Sequence, residues 1–250
     1  MIKFLHRHIP RPVLIRFSGI FSMVVRPFYA GNHVECPVCK KHFRKFLPYG
    51  SRGLSNRLCP KCLSLERHRL IWLYLQNFTR FFEDNLKMLH IAPEQPFIKR
   101  FKKCANLDYQ TADLCSPIAD LHFDIMHIPL ADNSYDIVMS NHVLEHVEND
   151  IVAMKEIYRV LKPGGWAILQ VPIDPDRQTT YEDKNIVMPS EREKAFGQYD
   201  HLRIHGLDYP TRLAAAGFDV QTFDPKQHFP ANDIPRYRLD PDEILFVAKK

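Results

Sequence analysis

The chain has 250 residues, 45% hydrophobic and 25% charged, the make-up of an ordinary globular protein with one large domain or one domain plus a small module. That composition excludes a disordered, collagen-like or coiled-coil chain. Six cysteines are too sparse for a disulfide scaffold of this size, and no run approaches the roughly 18 uncharged apolar residues of a membrane-spanning helix. The net charge of +5 conceals an asymmetry: residues 1–104 hold 20 Lys and Arg against 5 Asp and Glu, whereas residues 105–250 hold 14 against 24. A basic front half suits an anionic partner such as nucleic acid, a membrane surface or a phosphorylated substrate. It equally suits docking on the acidic half of its own chain.

Four segments follow in order: a basic, apolar stretch (1–35), a Cys-bearing module (36–62), a linking helix (63–85) and an alternating α/β domain (86–250). In the first, Leu14, Phe17, Phe21, Val24 and Phe28 recur at helical spacing and predict an amphipathic helix. Three roles compete for it: packing on the main domain, peripheral contact with a membrane interface, and a signal peptide. The short apolar run Phe17–Val25, closed by Arg26-Pro27, argues against the last.

Cys36-Pro37-Val38-Cys39 and Cys59-Pro60-Lys61-Cys62 form a C-x2-C-x19-C-x2-C pattern, the most specific motif in the chain. Each C-x-x-C turn can aim two thiolates at one ion, and two such turns close a tetrahedral shell of structural Zn2+. A closed shell leaves no position for water, so the metal is expected to fold the module rather than do chemistry. The loop between the pairs interleaves Lys40, Lys41, Arg44, Lys45, Arg52 and Arg57 with Phe43, Phe46 and Tyr49. That mixture suits RNA, with phosphate contacts plus base stacking, and it also suits a solvated knuckle that touches nothing. From Leu63 onward, a run free of Pro and Gly predicts a helix of four or five turns.

In the last segment, strands are predicted over Lys87–Ala92, Leu107–Thr111 (ending at Asp113), Leu121–Phe123 (ending at Asp124), Tyr135–Ser140, Trp166–Val171, Phe218–Phe223 and Glu243–Ala248. Helices are predicted from Pro96 to about Lys103, from an Asn149 or Asp150 cap through Leu161 to the breaker Lys162-Pro163-Gly164-Gly165, and over Thr211–Ala216. Strands alternating with helices predict a parallel, doubly wound sheet.

Asp-Asn-Ser-Tyr-Asp-Ile-Val (132–138), Asn-His-Val-Leu-Glu-His-Val (141–147), Arg-Val-Leu-Lys-Pro-Gly-Gly-Trp (159–166) and Ala-Ala-Gly-Phe-Asp-Val (215–220) resemble class I S-adenosylmethionine-dependent methyltransferases. The resemblance spans residues 86–250. It implies an α/β, Rossmann-like seven-stranded methyltransferase sheet with its last strand inserted antiparallel, preceded here by the small N-terminal zinc-binding module. It implies S-adenosylmethionine as cofactor and places Ala92, Pro93 and Glu94 around its methionine part, Asp113 at the ribose hydroxyls and Asp124 near the adenine amine. Asn141 and His142 would face the methyl group and its acceptor. One departure stands out: Ile91-Ala92-Pro93-Glu94-Gln95-Pro96 has no Gly and two Pro where the family has a Gly-rich loop.

An insert over 174–209 is expected to cover the acceptor, through Tyr181, Tyr199, Asp200 and Arg203, the last holding a phosphate or carboxylate. His142 or His201 is the expected general base for a hydroxyl acceptor. The leading reading is a cytoplasmic enzyme that methylates a small-molecule or glycan-precursor acceptor. The alternatives are an rRNA methyltransferase using the basic zinc module, and a non-enzymatic binding module on a degenerate methyltransferase fold.

Overall fold

The computed structural model describes residues 19, 21–50 and 54–250; Leu14 and Phe17 of the expected N-terminal helix, and Arg52, lie outside them. The chain divides into two compact units. The first comprises residues 1–84, 94–106 and 223–244, and the second residues 85–93, 107–222 and 245–250. Among the described residues, no helix is long and apolar enough to cross a membrane.

The first unit opens with two antiparallel hairpins. β1 (Val34–Cys36) pairs with β2 (Lys41–Phe43), and β3 (Leu47–Tyr49) with β4 (Leu54–Leu58). Phe43 and Phe46 are buried and meet edge to face at 6.0 Å. They form this module's core, so the aromatics expected as stacking platforms are not at the surface. Helix α1 (Glu66–Asn77) follows. It is shorter than the expected helix: beyond Asn77 the Thr79 hydroxyl donates to the Leu75 carbonyl at 2.7 Å and accepts the Phe81 amide at 3.1 Å, bonds that close a turn leading off the helix. Trp72 packs on Phe82 and stacks on Phe101 of α2 (Gln95–Phe101).

Arg69 is buried in this unit with four of its five guanidinium donors hydrogen-bonded. It donates to the carbonyls of Arg57, Ser64, Tyr237 and Arg238 and lies 4.7 Å over the Phe46 ring. A guanidinium presents five donors in one plane, so a single residue can tie four chain segments together.

The sheet carries seven strands in the order β12-β13-β9-β8-β5-β6-β7. These are β5 (Leu86–Ile91), β6 (Leu107–Asp113), β7 (Leu121–His122), β8 (Tyr135–Asn141), β9 (Leu161–Gln170), β12 (Asp219–Phe223) and β13 (Leu245–Lys249). β5 to β9 pair in parallel and β13 runs antiparallel to β9. Strands such as β8 are buried on both faces, which is why they read as continuous apolar runs rather than alternating ones. Helix α3 (Asp150–Val160) starts at the Asn149 cap, whose side chain accepts from the Val152 amide.

One expected boundary needs correction. β9 already begins at Leu161, so the Pro-Gly-Gly breaker lies inside the strand. Tyr135 pairs with Leu161 but Ile137 pairs with Trp166, so the breaker is looped out as a bulge. Gly165 sits where an added Cβ would stand 2.9 Å from the Asp136 carbonyl, a closeness only Gly tolerates. The insert is also more ordered than a surface loop. It contains α4 (Pro189–Phe196) and a short antiparallel pair, β10 (Tyr181–Glu182) with β11 (Arg203–Ile204), before α5 (Tyr209–Ala215).

Candidate active site and cysteine centre

In the second unit the chain runs from β5 outward through β6 and β7, then returns to β8 on the other side. The order of strands therefore reverses between β5 and β8, and in open α/β sheets ligands bind beyond the carboxyl ends at such a point. The residues that end these two strands share an unusual backbone. Ala92 (φ 49°) follows β5 and His142 (φ 55°) follows β8, both in the left-handed region. Their amides still extend the sheet, Ala92 N–H to the Ala112 carbonyl at 2.8 Å and His142 N–H to the Gln170 carbonyl at 2.7 Å. Each residue thus turns the chain sharply off its strand without giving up a ladder bond. Ala92 does this without Gly, at a strain of about 1–2 kcal/mol.

Asp113 ends β6, and one of its carboxylate oxygens accepts the amides of Cys115 and Ser116 at 2.9 and 2.8 Å. Asp124, just past β7, accepts from the Met126 amide at 2.8 Å. These short turns fix both carboxylates at strand ends. Leu114, next to Asp113, is exposed. Glu94 belongs to the first unit, where it accepts from His68 Nε2 and pairs with Arg67. His68 Nδ1 accepts the Leu65 amide, which fixes the Nε2–H tautomer, and burial holds its pKa below the ordinary value.

The loop after β8 gathers the polar groups. His142 Nδ1 lies 3.2 Å from Glu145 Oε1. Glu145 is 1% exposed, and its second oxygen, Oε2, has no hydrogen-bond partner among the described residues. Burial would raise its pKa, but the His142 contact outweighs burial and holds it below the usual carboxylate range. His146 and His201 meet at 4.7 Å, edge to face. His201 Nδ1 lies 3.2 Å from the Phe196 carbonyl, and His146 Nδ1 3.3 Å from the Asp200 carbonyl. Burial, then the neighbouring His146, lowers the pKa of His201. Neither Glu145 nor His146 is among the site residues expected from the sequence. The only available signal was their place three and four residues after His142.

The structure corrects the expected role of Arg203. Its side chain is 2% exposed. It donates to the carbonyls of Leu144, Val147 and Glu148 at 2.7, 2.6 and 2.9 Å and to the Glu182 carboxylate at 3.1 Å. Its donors are consumed in pinning the 142–149 loop, so it cannot hold a substrate anion. Buried Asp150 lies 4.0 Å away and takes a bidentate pair from Arg212. Tyr181 and Tyr199 are exposed on the insert, and Tyr181 packs on Phe196. His205 is fully buried beside Tyr209, neither ring nitrogen has a partner among the described residues, and burial pushes its pKa down to about 4.

The four cysteines meet in the first unit. Their sulfurs all lie within 4.8 Å of one another, with Cys36 and Cys62 at 3.5 Å and Cys39 and Cys59 at 3.7 Å. Sulfurs 2.3 Å from a shared tetrahedral Zn2+ would stand about 3.8 Å apart, so the donor set fits that ion. The two knuckles repeat one geometry. The Lys40 amide donates to the Cys36 carbonyl and the Leu63 amide to the Cys59 carbonyl, with Lys40 and Leu63 both left-handed. Mutual hydrogen bonding in the crowded quartet pushes the Cys39 and Cys59 thiols up from the ordinary value and holds Cys62 well below it.

Residues 75–169 match the family model described as "Methyltransferase domain". Over that stretch the chain is a methyltransferase domain, and the strand order with the reversed β13 is the sheet that the class I resemblance implies. The domain is similar to a demethylmenaquinone methyltransferase from Geobacillus sp. (strain WCH70), 31% identical over 99 residues, 37% of this chain and 42% of that one. A demethylmenaquinone methyltransferase from Staphylococcus haemolyticus (strain JCSC1435) is 46% identical over 99 residues, 37% of this chain and 41% of that one. A probable S-adenosylmethionine-dependent methyltransferase from Mycolicibacterium smegmatis is 25% identical over 126 residues, 48% of this chain and 45% of that one. The matched stretch thus spans less than half the length of these relatives. In fold, the chain is similar to the [4+2]-cyclase SpnF, with a TM-score of 0.50, 16% identity and 95% coverage of both chains.

Proposed function

We propose that this methyltransferase domain moves the methyl group of S-adenosylmethionine to a small-molecule or glycan-precursor acceptor. The observation that carries this reading is the line of strand ends: Ala92-Pro93, Asp113, Asp124 and Asn141-His142 follow β5, β6, β7 and β8 on one edge of the sheet. Ribose hydroxyls suit the Asp113 carboxylate, exposed Leu114 beside it suits the flat face of a base, and Asp124 suits an exocyclic amine. Pro93 stiffens the turn that a Gly-rich loop would otherwise make. Methyl transfer is an in-line displacement that needs orientation and exclusion of water more than a strong base. The polar loop after β8 and the folded insert with Tyr181, Tyr199, Asp200 and His201 supply groups to orient an acceptor. His142 is the preferred base, since Glu145 fixes its ring orientation.

The cysteine centre is read as structural Zn2+, which stabilises two hairpins whose own core is small. Burial of Phe43 and Phe46 leaves Tyr49 as the exposed ring of the basic loop, and Arg57 is paired with Glu66 and Asp240. Both facts favour a small acceptor over RNA. The exposed Phe21, Met23, Val24 and Phe28 support peripheral membrane contact through residues 1–35, testable by liposome flotation.

The deciding experiment is calorimetric titration of the zinc-loaded chain with S-adenosylmethionine and S-adenosylhomocysteine. Micromolar binding is expected, lost in Asp113→Ala. A folded protein that binds neither ligand refutes the reading and leaves a degenerate binding module.

A further inference from the structure

Among the described residues, two groups of His, Cys, Asp and Glu bring their donor atoms together closely enough to hold one ion. The first is the cysteine quartet. The second is Glu145, His146 and His201, whose donor atoms also lie within 4.8 Å of one another. It joins a loop of the sheet to a histidine 55 residues further along the chain.

The second cluster has the organisation of a catalytic metal site. Histidines that bind metals use one ring nitrogen and donate the other N–H to a carbonyl or carboxylate, which fixes tautomer and ring direction. Both histidines here are set this way. His201 Nδ1 meets the Phe196 carbonyl at 3.2 Å, and His146 Nδ1 meets the Asp200 carbonyl and carboxylate at 3.3 and 3.4 Å. Each Nε2 is left as the lone-pair donor. Ligating carboxylates are likewise held by one oxygen, and Glu145 Oε1 faces His142 at 3.2 Å. Its other oxygen, Oε2, is buried with no partner among the described residues, in a side chain only 1% exposed. An unpaired buried carboxylate oxygen is costly, and a cation beside two imidazoles removes that cost.

We propose that Glu145, His146 and His201 bind a divalent transition-metal ion whose open positions hold an oxygen of the acceptor. Two imidazoles and one carboxylate suit Zn2+, Fe2+ or Mn2+, and three protein ligands leave positions free, unlike the closed cysteine shell. The ligands begin three residues beyond His142, so the ion stands on the acceptor side of the strand ends. An acceptor hydroxyl bound to the ion passes its proton to His142. The oxygen lone pair then forms the new C–O bond as the methyl carbon–sulfur bond breaks, and that electron pair stays on sulfur as the neutral thioether. The ion site stands on its own geometry, whereas its catalytic use rests on the methyltransferase reading above.

The test is metal content of the full-length chain, loaded with Zn2+ and desalted, measured by mass spectrometry against protein concentration. The His146→Ala/His201→Ala variant should carry one equivalent fewer than wild type, and the near-isosteric Glu145→Gln should do the same. Circular dichroism identifies variants that keep the fold. Equal zinc content in wild type and a folded variant of either kind overturns the site. Titration with acetohydroxamate, a bidentate oxygen chelator, should show saturable binding to wild type that both variants lose. Binding that is absent from wild type, or unchanged in the variants, overturns the acceptor role. If the zinc difference appears but S-adenosylmethionine does not bind, the ion site stands and the methyltransferase reading falls. The reverse result removes the ion and spares the enzyme.

Discussion

Replacing Arg203 by Met separates a structural role from a substrate-binding one. Met keeps most of the stem and removes every donor. The carbonyls of Leu144, Val147 and Glu148 then lose donors at 2.6–2.9 Å in a site where the side chain is 2% exposed. Each buried acceptor left without a partner costs about 1–3 kcal/mol. The contact with Glu182 adds little, because that carboxylate is 41% exposed. The Asp150 carboxylate retains Arg212, so it is not stranded. Three such losses come to about 3–9 kcal/mol, and because the bonds to Val147 and Glu148 are only part-buried the expected loss lies at the lower end, about 3–5 kcal/mol. For a chain of this size that lowers the melting temperature by roughly 10 °C. Arg203→Lys should fall between, since one ammonium cannot reach three carbonyls and a carboxylate together. Urea and thermal unfolding measure the stability, and titration with S-adenosylmethionine measures the site. If Arg203→Met melts within a degree of wild type and loses only ligand affinity, the guanidinium faces a ligand and does not pin the loop.

Three further outcomes are expected. Chelation at neutral pH should raise the number of rapidly reacting thiols from the two outside the quartet, Cys104 and Cys115, to all six, with loss of the hairpin module; six reactive thiols before chelation would sink the zinc assignment. Burial lowers the pKa of His205 to about 4, so its neutral form costs nothing above the unfolded value near 6.5. Stability is therefore lost as pH falls from about 6.5 toward 4, by about 3 kcal/mol in all, and His205→Phe should flatten that dependence in urea midpoints measured across the window. Ala92→Gly should stabilise the chain by about 0.5–1 kcal/mol, since relief of the left-handed strain exceeds the added chain entropy, while Ala92→Val should destabilise it; a lower urea midpoint for the glycine variant would contradict the strain.

Much of the fold was legible because its signals are local. Buried parallel strands such as Tyr135–Asn141 are continuous apolar runs, and two C-x-x-C turns announce four convergent thiolates. The errors arose where a local signal was outvoted. Pro163-Gly164-Gly165 reads as a helix stop, yet pairing with β8 draws Leu161 into the strand and loops the breaker out. Phe43 and Phe46 read as stacking rings and are the core of a module with few other apolar residues. Arg203 reads as an anion holder, because nothing in sequence tells which carbonyls surround a guanidinium.

By itself the sequence determined the alternating α/β class, the acids that follow strands β6 and β7, and the cysteine set, since residue type and spacing along a few turns suffice for each. Tertiary structure alone decided which polar groups act together. Glu145 and His146 lie beside His201 only because the insert folds back over the loop after β8, where the Leu202 amide donates to the Glu145 carbonyl at 2.9 Å. Ligand sets and buried charge networks are closed by chain segments far apart in sequence, and their chemistry depends on ångström distances that periodicity does not encode.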